Sequence, residues 1–167
     1  EPRRVKVCML AYVQAPSWYP PMIHDAESLA AAGFEVEALC PAPTPDVPLL
    51  EEHSPGFRTR RFRVRVRSFF RSIVGPAPTN PVVGALQYLL SYAEYVPLAL
   101  LHALRSGAQV YEANELPALL PAVLAAKLRG RPVVYRAHEI WSETRAKVPF
   151  AWFWRALDRL LVPFCDQ

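Results

Sequence analysis

Gln109-Val110-Tyr111-Glu112 is followed by Pro117 and a run of helix formers to Leu128, then by Gly130 and by Pro132-Val133-Val134-Tyr135-Arg136. The two short apolar runs read as strands and the segment between them as a helix, with proline suited to its first turn and glycine to its stop. Strand, helix and strand in that order make the unit of a parallel sheet with right-handed crossovers. The same alternation precedes it. Val5-Lys6-Val7-Cys8-Met9-Leu10-Ala11-Tyr12 is nearly continuous apolar sequence, as a strand covered on both faces should be. Met22 to Ala32 reads as a helix stopped by Gly33, Phe34 to Cys40 alternates as a second strand, and Phe150 to Leu161 reads as a closing helix rich in tryptophan. The expected class is therefore α/β, a Rossmann-like three-layer sandwich with a mainly parallel sheet. Ligands of such sheets sit beyond the carboxyl ends of the strands, which selects the loops after Tyr12, Glu112 and Arg136.

The 167 residues are one domain's length, and with 52% of them hydrophobic the chain can offset the entropy of ordering itself, which excludes a disordered chain. Eighteen prolines mark loops and helix starts, most densely at Pro41, Pro43, Pro45 and Pro48. Cys8, Cys40 and Cys165 are odd in number and widely spaced, with no C-x-x-C pair for zinc or redox chemistry, so a reducing cytosol is expected and no metal site. No basic segment followed by a short apolar run and a small-residue cleavage site opens the sequence, so no secretory signal is read.

The net charge of +4 comes from one place. Seven arginines and no acid lie between Phe57 and Arg71, and the rest of the chain is net acidic. Arg61-Phe62-Arg63-Val64-Arg65-Val66-Arg67 alternates strictly, which puts all four arginines on one face of a strand and suggests a sheet edge. Three roles fit such a row: charges that block sheet-to-sheet pairing, a dock for anionic lipid headgroups helped by Phe69 and Phe70, or neutralisation of nucleic-acid phosphates. No nucleic-acid motif accompanies the row, so nucleic acid is not expected as a partner. Pro81 to Leu104 carries one formal charge, Glu94, yet Gln87, Ser91, Glu94, Leu98, His102 and Arg105 share one helical face. Tyr88, Tyr92 and Tyr95 line up beside it, and Leu86, Leu90, Ala93, Pro97, Leu100 and Leu104 take another. That is the pattern of an amphipathic core helix rather than a bilayer span.

A dinucleotide site would show G-x-G-x-x-G after the first strand, but the chain reads Tyr12-Val13-Gln14-Ala15-Pro16-Ser17 without a glycine, which argues against a nicotinamide or flavin dehydrogenase. Trp18 and Tyr19 supply flat faces that stack on sugars or apolar chains, or simply pack the loop. Asn114-Glu115 and His138-Glu139 each close a strand at the same rim. Either they cap loops or they hold a hydroxylated ligand, since a histidine donates to an oxygen of developing charge and a carboxylate accepts from hydroxyls.

Val110-Tyr111-Glu112-Ala113-Asn114-Glu115-Leu116-Pro117, a small-residue helix ending Lys127-Leu128-Arg129-Gly130, and Pro132-Val133-Val134-Tyr135-Arg136-Ala137-His138-Glu139 together resemble the amino-terminal half of family-4 retaining glycosyltransferases of the GT-B fold. Members often read D-V-x-H-A-H-D-L-P and then P-x-V-Y-D-A-H-E. Ala26-Glu27-Ser28-Leu29-Ala30-Ala31-Ala32-Gly33-Phe34-Glu35-Val36 is similar to the family's E-A-x-x-L-A-x-x-G-H-E-V segment.

The resemblance implies residues 1–167 are a single acceptor-side domain, one half of a GT-B enzyme whose carboxy-terminal donor-binding domain lies outside this chain. No cofactor is expected on this half; a nucleotide-sugar donor would be held by the other. His138 matches the histidine facing the transferred sugar and is the catalytic candidate. Gln14, Ser17, Trp18, Tyr19, Asn114, Glu115 and Glu139 are the acceptor-binding candidates, for a sugar or a lipid-linked acceptor. Transfer would retain configuration without a bound metal ion, and this domain alone would transfer nothing. Asn114-Glu115 replaces the family's H-D pair, and Tyr19-Pro20-Pro21 stands where many members have Asp-Pro-Arg. Glu27 and Glu35 have the spacing of the family's donor-site glutamates but fall on the first helix and second strand, so the match is coincidental. The alternative is a non-catalytic Rossmann-like module that binds anionic membrane or another polyanion through Arg61, Arg63, Arg65 and Arg67. A cytoplasmic location, with peripheral membrane contact through that row, suits both.

Overall fold

Burial on both faces makes β1 (Lys6–Ala11) the centre of a six-stranded sheet with the order β3-β4-β2-β1-β5-β6. The computed structural model describes residues 4–12, 20–66, 69, 80–137 and 151–166. β2 (Glu35–Pro41), β4 (Phe57–Phe62), β5 (Val110–Asn114) and β6 (Val133–Arg136) run parallel to β1, and β3 (Leu50–Ser54) is antiparallel at one edge. A turn at Pro55-Gly56 joins β3 to β4. Gly56 has φ of +91°, and a Cβ there would come within 3.1 Å of the Phe34 carbonyl, so no other residue fits without strain.

Among the described residues, four helices cover the sheet: α1 (Pro20–Ala31), α2 (Pro81–Ser106), α3 (Leu116–Arg129) and α4 (Ala151–Leu161). α1 buries Met22, Ala26 and Ala30, one face at a spacing of four, against Met9, Ala11, Val36 and Cys40. The other three share a larger core with Cys8, Leu10, Leu39 and Tyr111 on the opposite sheet face. These are the three layers expected. α2 starts where Asn80 accepts from the Val82 amide at 2.9 Å with Pro81 next, and it continues through Pro97 to Gly107. α3 ends at Gly130, whose left-handed backbone closes the last turn. Among the described residues no helix is long and apolar enough to cross a membrane.

One expectation is corrected. The arginine alternation does not form a strand face, because β4 stops at Phe62 and lies inside β3 rather than at the edge. Arg61 is buried and ion-paired to Glu51, with Nη1 donating to the Pro48 carbonyl at 3.0 Å. Arg63 and Arg65 are exposed beyond the strand, and Arg67 lies outside the described residues. The strand ends here because the amides of Arg65 and Val66 turn to the Glu94 carboxylate, at 2.9 and 2.7 Å.

The structure also shows which stripe of α2 faces the sheet, a choice that the periodicity left open. Ser91, Tyr92, Tyr95, Ala99 and Ala103 turn inward, while Leu86, Leu90, Ala93 and Pro97 face solvent. Tyrosine wins the core because its hydroxyl finds an acceptor there: Tyr95 donates to the Ala11 carbonyl and Tyr92 to the Pro117 carbonyl, each at 3.2 Å. Their rings meet Tyr12 edge-on, with centroids 4.8 Å apart for Tyr95 and 5.9 Å for Tyr92.

Candidate functional site

Parallel pairing aligns the ends of three strands. Ala11, Asn114 and Arg136, each the last residue of its strand, are lateral neighbours in β1, β5 and β6. The chain therefore leaves the sheet at one rim before residues 13–19, at Glu115 and after Arg136. Gln14, Ser17, Trp18, Tyr19, His138 and Glu139 lie outside the described residues, so of the catalytic and acceptor-binding candidates only Asn114 and Glu115 have described surroundings.

Strand period puts Glu112 and Asn114 on the face of β5 that looks toward α1. Asn114 is fully buried, and its Nδ2 donates to Glu112 Oε1 at 3.3 Å. Its Oδ1 is buried without a hydrogen-bond partner among the described residues. Such a buried acceptor carries a desolvation cost unless something donates to it. Arg136 Nε lies 3.5 Å from Glu112 Oε1, and its Nη1 pairs with Asp25 of α1. Burial pushes the Glu112 carboxyl above its ordinary value, and the Arg136 charge and the Asn114 bond pull it only partly back.

Asp25, Arg136, Glu112 and Asn114 thus grade from half-exposed ion pair to buried amide. Neither Glu112, Arg136 nor Asp25 was singled out by the sequence. The available signal was an acid inside an otherwise apolar strand, two positions before Asn114. This constellation can hold a hydroxylated or anionic group, because a guanidinium brings five N–H donors and only some are engaged by the two carboxylates. It offers no activated nucleophile. Among the described residues no three His, Cys, Asp or Glu side chains gather as a metal-binding group.

Glu115 occupies the N-cap position of α3 with φ 75° and ψ 155°, a region that glycine normally fills. A non-glycine residue there costs on the order of 1–3 kcal/mol, and such strain collects at functional sites. Its amide donates to the Arg136 carbonyl at 3.3 Å, which ties the strained turn to β6.

On the α2 side of the sheet, Tyr88, Leu89, Tyr92, Trp152, Phe153 and Trp154 line a wholly apolar cavity of about 230 Å³. A larger cavity of about 510 Å³ surrounds the Pro55-Gly56 turn at the amino-terminal ends of β2 and β4. Ligands of parallel sheets bind at the other end, so size does not decide the site. The remaining buried charge is structural: Glu37, fully buried, is held by Lys6 and Arg58, each at 3.1 Å, and by Arg60.

Residues 23–166 match the family model described as a glycosyl transferase 4-like domain. A search of curated proteins finds no match. Among solved structures, a sucrose-phosphate synthase from Thermosynechococcus elongatus superimposes with a TM-score of 0.67 at 15% identity, over 95% of this chain and 40% of that one. A second structure of sucrose-phosphate synthase from the same organism matches with a TM-score of 0.50 at 20% identity, over 86% of this chain and 68% of that one. The chain thus spans about two fifths of the first synthase, and at these identities the likeness is one of fold, the Rossmann-like half of a GT-B architecture.

Proposed function

The chain belongs to the glycosyl transferase 4-like family, and on that premise we propose that it is the acceptor-side lobe of a retaining glycosyltransferase that moves a sugar from a nucleotide-sugar donor to a hydroxyl acceptor. The observation that carries the reading is the alignment of Ala11, Asn114 and Arg136 at one rim, with the Asp25–Arg136–Glu112–Asn114 network below it.

In this reading the acceptor lies over the ends of β1, β5 and β6, where Arg136 and Glu115 meet its hydroxyls and the residue 14–19 loop shapes its pocket. Asn114 acts one layer down, fixing Glu112 and through it the guanidinium. His138, two residues after β6 in sequence, donates to the transferred sugar as charge develops on it, with Glu139 in support. The donor is held by a second lobe, so this chain alone transfers nothing.

The test is made in the whole enzyme. His138→Ala is expected to lower kcat at least a hundredfold with a small change in acceptor KM. Arg136→Gln is expected to raise acceptor KM more than it lowers kcat. Wild-type turnover in the His138 variant, or sugar transfer by residues 1–167 alone, would overturn the assignment.

A further inference from the structure

The hairpin of β3 and β4 is irregular where it carries an aromatic ring. Glu52 pairs with Arg58 and Ser54 with Phe57, so His53 is an extra residue on β3, and a bulge of this kind re-aims the side chain it inserts. The imidazole lies over the Phe57 ring, with centroids 4.6 Å apart and planes 25° from parallel, and its Nε2 shares a hydrogen bond of 2.8 Å with Thr59 Oγ1. Phe57 and Thr59 are buried, whereas His53 is exposed. The result is a flat ring fixed at two points and open to solvent.

That ring lines the cavity of about 510 Å³ around the Pro55-Gly56 turn, a volume within the roughly 300–1,000 Å³ of small-molecule sites. Around it stand two carboxylates, Glu35 and Glu52, with the Ser54 hydroxyl and Arg58. Arg58 is already engaged, at 3.5 Å from Glu35 and 3.1 Å from Glu37. Among the described residues the Glu52 carboxylate has no ion pair.

We propose that this cavity is a second ligand site and takes an uncharged saccharide of one or two rings, whose C–H face lies on the His53 imidazole while its hydroxyls donate to Glu52 and Glu35 and accept from Ser54. Charge selects the class. A phosphate or carboxylate needs an open cation, and the guanidinium of the lining is spent on two carboxylates. An amine would satisfy Glu52 and leave the ring plane and the hydroxyl unused. A pyranose uses all three, because one face of it is C–H and its edge is hydroxyl. The cavity stands at the amino-terminal ends of β2 and β4, strands of seven and six residues, which puts it about 20 Å from the carboxyl-end rim. A sugar held there is therefore not the acceptor, and the site stands whether or not the rim transfers sugar.

The experiment is amide NMR of the 167-residue chain, titrated separately with glucose, galactose, fructose, maltose, inorganic phosphate and putrescine. At least one sugar is expected to shift the amides of His53, Ser54, Gly56 and Phe57 saturably in the millimolar range, and phosphate and putrescine are expected to leave them in place. Glu52→Gln and His53→Ala are each expected to weaken that sugar about fivefold or more, while His53→Phe, which keeps the flat face, holds it within about twofold. Both positions are exposed, so the variants are expected to fold, with the Asn114 and Glu115 amides unmoved. Saturable shifts at Glu115 and Arg136 in place of the hairpin, no saturation with any sugar up to tens of millimolar, or a tighter hairpin response to phosphate or putrescine would each overturn the proposal. So would unchanged affinity in both Glu52→Gln and His53→Ala, or a His53→Phe variant as weak as His53→Ala.

Discussion

Asn114 donates from Nδ2 to Glu112 Oε1 at 3.3 Å, two residues back along the same face of β5, and so ties the buried amide to the only carboxylate within Arg136's reach on that strand. Because burial raises the Glu112 carboxyl, its charged form costs stability above the folded pKa, and that cost vanishes below the ordinary value of 4.5. The Tm of Glu112→Gln, measured against wild type, is therefore expected to move in the variant's favour as pH rises from about 4 to 7. Asn114→Ala removes a donor and is expected to raise the Glu112 carboxyl further, read by its NMR titration.

Glu37 shows the opposite sign. Burial alone would raise it, but bonds from Arg60, Arg58 and Lys6 outweigh burial and the carboxyl is held below 4.5. Its contribution is present above that value and is lost as pH falls through the folded pKa. Glu37→Gln is expected to cost about 3 kcal/mol at neutral pH in urea unfolding, because three cations lose their partner. The gap to wild type should narrow under acid.

The turn at Glu115 stores strain that glycine would relieve. Glu115→Gly is expected to raise stability by about 1 kcal/mol, seen as a higher Tm, even though the side chain's own interactions are lost. In the whole enzyme the same change is expected to weaken acceptor binding.

The three cysteines separate by burial. Cys8 and Cys40 are buried, and their thiols are pushed up by loss of solvent, Cys40 to about 12, whereas Cys165 is half-buried. Ellman's reagent is expected to label one thiol in the native chain and all three in urea.

Much of the layout was legible because period and punctuation agree. β1, β5 and β6 are short, largely apolar runs, β2 alternates, Pro81 and Pro117 sit in first turns, and Gly130 ends α3. β3 was invisible because Leu50-Glu51-Glu52-His53-Ser54 is an exposed edge with no alternation. The facing of α2 was equally open: its sequence offers a leucine stripe and a tyrosine stripe, and the tyrosines find acceptors in the carbonyls of Ala11 and Pro117. At the rim, Asn114 could be placed from the strand it ends, but the pairing of Asp25 with Arg136 joins residues 111 positions apart and leaves no local signal.

The two tyrosine hydroxyls of α2 act as struts between the outer helix and the mouth of the sheet, one footed on the last residue of β1 and the other on the first turn of α3. Displacing the outer helix would strain both contacts at once, so the spacing of the opening over β1 and β5 is coupled to the seating of two phenols.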